Sequence, residues 1–157
     1  MPRIAPLFLL LSALLFVGGC DFSPAPKPKT CFLVGDSIGV GLSWYLKTCP
    51  ASAKVGLSSN AVLKRTEPAD VLIVSAGSND PDNKRLEANL KAIRDKSGAA
   101  TVIWIEPRHK RASAIVRKIA QRNGDLVIFF KAGKDKVHPR SYKRLARDVA
   151  QSLKGLL

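Results

Sequence analysis

Short apolar segments alternate with amphipathic segments along residues 30–157, and this alternation constrains the fold more than any other feature of the chain. The clearest apolar segment, Asp70 to Val74, is continuous and rich in β-branched residues, which is typical of a strand buried on both faces of a parallel sheet. Between such segments apolar residues recur at helical spacing, as in Leu86, Leu90 and Ile93. The alternation predicts a three-layer α/β/α sandwich around a five-stranded parallel sheet.

The predicted elements follow each other closely, with one helix after each strand. The strands are predicted at Cys31 to Val34, Ala53 to Val55, Asp70 to Val74, Thr101 to Ile105 and Leu126 to Phe129, and the helices at Ile38 to Lys47, Asn60 to Arg65, Asp82 to Lys96, Ser113 to Arg122 and from Pro139 onward. In such a sheet, functional groups gather beyond the carboxyl ends of the strands.

The first residues have the pattern of an export signal. A positive charge precedes an apolar run from Leu7 to Phe16, which is too short for a comfortable membrane span, and small residues lead into Cys20. We predict a lipoprotein signal peptide over residues 1–19, lipidation of Cys20, a proline-rich tether over residues 20–29 and one domain over residues 30–157. An ordinary signal peptide is the alternative. Either way, the protein is expected in the bacterial cell envelope, and lipidation would anchor it to a membrane there.

The cysteines divide into one candidate for lipidation and one candidate pair. If Cys20 carries lipid, Cys31 and Cys49 remain together in an oxidising compartment. Cys31 begins the first predicted strand and Cys49 follows the helix that returns antiparallel to it, so both are expected at the same end of the sheet. A disulfide between them is predicted, and two buried thiols are the alternative.

Polar groups follow four of the predicted strands. Ser37, Gly56 and Asn79 follow the first three, and Asp135 and His138 follow the fifth. A serine becomes a nucleophile when an imidazole takes its proton and a carboxylate holds that imidazole in place. The chain has two histidines, and one of them lies three residues after an aspartate. The topology therefore predicts a serine, a histidine and an aspartate at one edge of the sheet.

These residues resemble a known family. GDSIG at Gly35 to Gly39, the lone Gly56, GSND at Gly77 to Asp80 and DKVH at Asp135 to His138 resemble the four signature blocks of the SGNH hydrolases, also called GDSL-type esterases. The resemblance covers nearly the whole chain after the tether, with isoleucine in place of leucine after the serine. It implies a flavodoxin-like SGNH hydrolase fold and a serine esterase, and we expect neither a cofactor nor a metal.

The resemblance also implies a role for each residue. Ser37 is the expected nucleophile, His138 the general base and then acid, and Asp135 the residue that orients His138. The expected oxyanion hole consists of the backbone N–H groups of Ser37 and Gly56 and the side-chain amide of Asn79. These donors suit the developing charge of a tetrahedral intermediate.

Residues beside these groups have further expected roles. Asp36 and Asp80 are predicted to bind substrate. His138 directly precedes Pro139 at the predicted helix start, where the helix dipole disfavours the imidazolium and helps to keep the base neutral. His109 is the rival base, but it lies among basic residues, so an inert or substrate-contacting role is expected.

Other motif readings fit less well. GDSIG also matches the GxSxG pattern of the α/β-hydrolase elbow, but Ser37 follows the first strand, whereas that elbow follows several. The glycines are not followed by the lysine of a phosphate loop, and they lack the spacing of a dinucleotide fingerprint. The sequence has no histidine and cysteine cluster typical of zinc.

The charge is strongly basic, with 26 Lys and Arg against 12 Asp and Glu and a formal net charge of +14. Most of these cations lie at helical spacing and are expected on solvated faces. The excess also favours anionic lipid or an acidic wall polymer, whereas export argues against nucleic acid. The expected function is hydrolysis of small acyl esters, above all acetyl esters, on peptidoglycan or another envelope polysaccharide. An inactive SGNH-fold lipoprotein that binds anionic wall polymer is the alternative.

Overall fold

A computed structural model describes residues 29–157 as alternating strands and helices. The strands are β1 (Cys31–Gly35), β2 (Ala51–Ala53), β3 (Val71–Ser75), β4 (Thr101–Ile105) and β5 (Leu126–Ile128), and the helices are α1 (Ser37–Ser43), α2 (Ser59–Arg65), α3 (Leu86–Ser97), α4 (Lys110–Asn123) and α5 (Tyr142–Leu153). All strand pairs are parallel, in the order β2-β1-β3-β4-β5. The predicted five-stranded parallel sheet is therefore confirmed.

Two apolar cores cover the two faces of the sheet. On one face, strand residues such as Val74 and Trp104 pack with Leu90 of α3 and Val116 of α4. On the other face, alternate strand residues pack with α1 and α5; this second core includes Leu33, Ile73, Ile103, Leu42 and Val149. Because neighbouring residues of a strand point to opposite faces, a continuous apolar run feeds both cores. The three layers follow from this arrangement.

The strand order places a switch point between β1 and β3. The chain moves from β1 outward to β2, and then crosses back to β3 on the other side of β1. At such a point the loops after neighbouring strands separate and leave a crevice beyond their carboxyl ends. Only Asp36 separates β1 from Ser37, the first residue of α1, so the fold positions the predicted nucleophile at this crevice.

Several predicted boundaries were wrong by a few residues, and one of them matters for the site. Helix α5 begins at Tyr142, with the Ser141 side chain accepting from the Arg144 N–H as its N-cap, and not at Pro139. Pro139 instead forms an isolated antiparallel bridge with Ala132. Since the helix starts beyond this bridge, His138 is not at its N-terminus and the predicted dipole effect on His138 does not apply.

The predicted disulfide between Cys31 and Cys49 is confirmed, with the two Cα atoms 5.1 Å apart. Helix α1 ends at Ser43, earlier than predicted, and turns carry the chain to Cys49 at the amino end of β1. The bond therefore links the start of the first strand to the segment that leads into β2. In the part of the chain that the structure describes, no helix is long and apolar enough to cross a membrane.

Candidate active site

Ser37 lies at the first position of α1, directly beyond the carboxyl end of β1. Asp36 is the N-cap, and its Oδ1 accepts a hydrogen bond of 3.0 Å from the Ile38 N–H. The Ser37 N–H is among the first N–H groups of the helix, which have no partner within a helix, and it makes no hydrogen bond within residues 29–157. The Ser37 Oγ is 2.9 Å from His138 Nε2.

His138 is held by a short two-stranded ribbon that spans residues 131–140. The Arg140 N–H donates to the Lys131 carbonyl at 2.8 Å, and the Gly133 N–H donates to the His138 carbonyl at 2.7 Å. These bonds close the ribbon at its base and near its tip. The imidazole is thereby fixed next to Ser37, although the two residues are 101 positions apart in the chain.

Asp135 lies at the tip of this ribbon and bonds to both the backbone and the side chain of His138. Its Oδ1 accepts from the N–H groups of Val137 at 3.0 Å and His138 at 2.9 Å. Its Oδ2 is 2.6 Å from His138 Nδ1. Lys136, between them, has a φ of 61°, in the left-handed region that a lysine seldom adopts. The ribbon tip therefore holds an uncommon backbone conformation where it brings the carboxylate to the imidazole.

The same contacts set the charge of Asp135. The hydrogen bond from the His138 side chain, followed by the two backbone N–H groups, lowers the pKa of Asp135 to about 2. The carboxylate is therefore ionised at neutral pH, although the side chain is 53% exposed. An ionised carboxylate at Nδ1 leaves Nε2 free to accept a proton from the Ser37 hydroxyl.

Gly56 and Asn79, the other two members of the expected oxyanion hole, lie in neighbouring loops that contact each other. Gly56 follows β2 with a φ of +79°, a conformation that favours glycine, and a Cβ there would meet open space. The Asn79 amide donates to the carbonyl of Leu57, the residue after Gly56, at 2.9 Å. Since an amide nitrogen carries two hydrogens, one remains free for a further acceptor.

Asp36 does not lie where a substrate contact would require. The residue is fully buried. Its Oδ1 accepts from the Ser75 hydroxyl at 2.6 Å as well as from Ile38 N–H. Burial raises the pKa of Asp36, opposed by the hydrogen bonds from Ser75 and Ile38. The predicted role in substrate binding is therefore wrong: this carboxylate joins β1, β3 and α1 behind Ser37.

Asp80 is likewise engaged inside the protein. Its Oδ1 accepts from the Ser59 N–H at 3.0 Å, and its Oδ2 accepts from the Ser59 hydroxyl at 2.6 Å and the Asn83 amide at 2.9 Å. The Asn89 amide donates in turn to the Ser59 hydroxyl. These bonds attach the loop after β3 to the start of α2. The structure thus assigns Asp80 contacts within the protein, and its predicted substrate contact stays a prediction.

His109 makes no hydrogen bond to Ser37 among residues 29–157. It is the exposed residue before α4, and it lines a cavity of about 250 Å³ with Ser78, Pro81, Arg108, Lys136 and Val137. This cavity lies between the loops after β3 and β4 and the ribbon tip. Of the two histidines, His138 is therefore the one that hydrogen-bonds the serine.

Two residues near the site have roles that the sequence did not indicate. Ser75, the last residue of β3, binds Asp36, but a strand serine carries no sequence signal for this contact. Tyr142 is the first residue of α5 and packs against the second core. Its pKa is raised by burial and then by the negative charges of Asp36 and Asp135.

Tyr142 also explains a glycine in α1. A Cβ at Gly41 would overlap the Tyr142 ring, so α1 and α5 approach each other closely here. A larger cavity, of about 580 Å³, lies at the base of the ribbon and is lined by residues of the 129–148 segment, none of which is a predicted site residue. Residues 29–157 contain no cluster of three or more His, Cys, Asp or Glu arranged to hold a metal ion.

No family model and no curated protein matches the chain. Among solved structures, the fold is similar to the C-terminal catalytic domain of peptidoglycan O-acetyltransferase A from Streptococcus pneumoniae, solved with a methylsulfonyl adduct. The TM-score is 0.57 and the identity 18%, and the match covers 82% of this chain and 94% of that one. That domain has the SGNH fold, and the likeness therefore confirms the predicted fold class.

Proposed function

We propose that this protein is a serine enzyme of the SGNH type that hydrolyses small acyl esters through an acyl-enzyme. The observation that carries the proposal is the continuous hydrogen-bonded chain from Ser37 Oγ to His138 Nε2 and from His138 Nδ1 to Asp135 Oδ2. Its spacings of 2.9 and 2.6 Å are within the range expected for a nucleophile, its base and the residue that orients the base.

In the first half of the reaction, Ser37 Oγ bonds to the ester carbonyl carbon and gives its proton to His138 Nε2. The carbonyl π electrons move to the oxygen, and the N–H groups of Ser37 and Gly56 with the Asn79 amide stabilise the resulting charge. The intermediate then collapses, and the leaving alkoxide takes the proton from Nε2. Asp135, ionised because its pKa is about 2, stabilises the imidazolium while it exists.

In the second half, water replaces the alcohol. It attacks the carbonyl carbon of the acyl-enzyme, gives a proton to His138 Nε2 and forms a second tetrahedral intermediate. Collapse breaks the bond to Ser37 Oγ, which recovers the proton from Nε2, and a carboxylic acid leaves. If a carbohydrate hydroxyl took the place of water, the same residues would transfer the acyl group instead. The peptidoglycan O-acetyltransferase neighbour favours this second candidate.

An acetylated envelope polysaccharide, peptidoglycan above all, is the proposed substrate. Two observations support it: the neighbour of similar fold is named for peptidoglycan, and the loop that contains Gly56 is solvent-exposed, with Val55 68% exposed. A small acyl group on a large carrier suits such an open site, since the carrier remains outside.

The proposed location is the bacterial cell envelope. The signal peptide over residues 1–19, the lipidated Cys20 and the tether over residues 20–29 lie, except for Lys29, outside the described residues. Within them, the Cys31–Cys49 disulfide suits an oxidising compartment. The described chain enters the sheet at the amino end of β1, the end opposite Ser37.

The test is the Ser37→Ala variant, with Ser43→Ala as its matched control in the same helix. Hydrolysis of p-nitrophenyl acetate and acetate release from O-acetylated peptidoglycan should both fall by about 10⁴-fold or more in Ser37→Ala, because no nucleophile remains. Ser43 donates only to the Val40 carbonyl, so its variant should retain activity. Full activity in Ser37→Ala would refute the mechanism.

Two further results separate the alternatives. Acetyl transfer to an added carbohydrate acceptor, in place of acetate release, would identify a transferase. If the correctly folded protein neither reacts with a fluorophosphonate nor releases acetate, the inactive polymer-binding lipoprotein would be the better description.

A further inference from the structure

The 250 Å³ cavity beside the ribbon tip is lined by cations and by no acidic residue. Its lining residues include Arg108, Lys136, His109 and Ser78. Neither Arg108 nor Lys136 makes a side-chain hydrogen bond or ion pair among residues 29–157. By contrast, four cations on the helices have acidic partners: Lys91 and Lys118 with Glu87, Arg94 with Asp125, and Arg117 with Glu106.

The position of the cavity ties it to the site. Lys136 and Val137 lie between Asp135 and His138, and Ser78 directly precedes Asn79. The cavity therefore shares two of its loops with the site that contains Ser37.

Hydrogen bonds anchor the backbone at Lys136 and the helix that follows Arg108. Lys136 is fixed by the bonds that its neighbours make with Asp135 and by its own N–H, which donates to the Gly133 carbonyl at 3.2 Å. Arg108 follows β4 in the loop that leads to α4, and the Arg111 guanidinium on that helix binds the Pro81 and Asn83 carbonyls, which joins α4 to the loop after β3. The segments that line the cavity are thus joined to each other by backbone and side-chain hydrogen bonds.

The size of the cavity limits what it accepts. Sites for drug-sized ligands usually measure about 300 to 1,000 Å³, so this one suits a single substituent more than a whole ligand. Its chemistry is that of an oxyanion site, because Arg and Lys both donate to carboxylate or phosphate.

We propose that Arg108 and Lys136 form an anion subsite, which binds a carboxylate or phosphate group of the polysaccharide that carries the acyl ester. The inference rests on the proposed function for the ester, and it adds the class of carrier: an acidic rather than a neutral glycan. Two of the cations that contribute to the net charge of +14 would then bind substrate.

The experiment compares matched polymers on the purified protein. Acetylated dextran, acetylated carboxymethyl-dextran and acetylated dextran phosphate share one backbone and differ in charge, and kcat/KM for acetate release is measured on each. The wild-type protein should prefer the charged polymers at low salt and lose the preference as salt rises. The carboxymethyl and phosphate arms identify which anion is preferred.

The test uses a double variant, Arg108→Gln with Lys136→Gln. The control is a second double variant, Arg147→Gln with Lys154→Gln, which removes the same two charges from α5 and the residue just after it. In the Arg108→Gln with Lys136→Gln variant, the ratio of kcat/KM on charged polymer to kcat/KM on neutral polymer should fall by about tenfold. This is the effect expected when the free energies of two exposed ion pairs are lost together. An equal fall in the control, or no fall in either, would overturn the subsite and leave the cations as a solvated surface.

A binding measurement keeps this inference separate from the proposed function. Binding of unacetylated carboxymethyl-dextran and dextran phosphate needs no turnover and is measured by calorimetry. Loss of that binding in Arg108→Gln with Lys136→Gln, in a protein that hydrolyses no ester, would support the subsite while refuting the esterase. Normal ester hydrolysis with no anion binding in the wild-type protein would support the esterase and refute the subsite.

Discussion

The two edges of the sheet satisfy their polar groups differently. At the amino edge, both oxygens of the buried Asp125 carboxylate are bonded, by Arg94, the Val102 N–H and the Trp104 indole. At the carboxyl edge, Asp36 Oδ2 and Glu106 Oε2 are buried with no hydrogen-bond partner among residues 29–157.

The amino edge is also reinforced by bonds that cross between segments. The Thr30 N–H and hydroxyl both donate to Asp70, and the disulfide joins Cys31 to Cys49. The carboxyl edge instead has an uncommon backbone conformation at Lys136 and a hydrogen-bonded chain that ends at the half-buried Ser37. A buried polar atom without a partner costs free energy, and such costs gather at functional sites. The difference fits a division in which the amino edge stabilises the fold and the carboxyl edge carries the proposed chemistry.

The strongest test of this division is His138→Ala. Removing the base should lower kcat/KM on p-nitrophenyl acetate by about 10⁴-fold. The free energy of unfolding, measured with urea, should change little, because His138 is part-exposed and outside both cores. His109→Ala should reduce hydrolysis far less, since His109 does not bond to Ser37. Equal losses in the two variants would contradict the assignment of the base.

Asp135→Asn tests the other end of the hydrogen-bonded chain. The amide places a donor or a weaker acceptor at His138 Nδ1, so kcat should fall by about 10³-fold. Because the pKa of Asp135 is about 2, the wild-type enzyme should show no activity change from its titration between about pH 4 and pH 9. The pH dependence of kcat, measured for both proteins, checks this prediction. A change in kcat near neutral pH that is present in the wild type and absent from Asp135→Asn would contradict it.

The amino edge should show the opposite response. Replacing both cysteines, as Cys31→Ser with Cys49→Ser, removes a bond between residues 18 apart and should lower the free energy of unfolding by about 3 kcal/mol. The kcat of the folded molecules should stay near the wild-type value. Urea titrations with and without reductant measure the first quantity, and hydrolysis rates in the absence of urea the second. A large loss of kcat would mean that the edges are coupled.

Asp36→Asn tests the buried carboxylate at the carboxyl edge. Because the pKa of Asp36 is raised in the folded protein, the folded state holds its proton to a higher pH than the unfolded state, which loses it near pH 4. The free energy of unfolding contributed by Asp36 therefore falls as the pH rises from about 4 through the folded pKa. The uncharged Asn side chain still caps α1 but does not titrate. The free energy of unfolding of the variant, minus that of the wild type, should therefore increase with pH and then level off. A difference that decreases with pH would show that the charge is stabilised there.

The alternating pattern of the sequence was enough to predict the sheet and the edge at which Ser37 and His138 meet. Each strand is a short apolar run, and parallel strands bring their following loops to one edge, so Ser37, Asn79 and His138 were expected together despite their separation. The disulfide was predictable for the same reason, since Cys31 and Cys49 were expected at one end.

The sequence was less informative where tertiary contacts override local signals. Pro139 is common in a first helical turn, but its bridge with Ala132 delays α5 to Tyr142. Asp36 was predicted to contact substrate because it is next to Ser37, yet its cap and its bond to Ser75 turn it inward. The left-handed conformation of Lys136 carries no signal in its residue type.

The smallest expected effect is that of Lys136→Gly, which separates strain from chemistry at the ribbon tip. Glycine adopts a φ of 61° without the Cβ penalty, but it also loses more entropy on folding, so the free energy of unfolding should rise by about 1 kcal/mol or less. The turn that holds Asp135 should become more mobile, and kcat should therefore fall modestly. Lys134→Gly, in the same ribbon without a positive φ, should lower stability instead. If both glycine variants lose stability equally, the Lys136 conformation stores no strain, and the contrast between the two edges rests on their buried carboxylates alone.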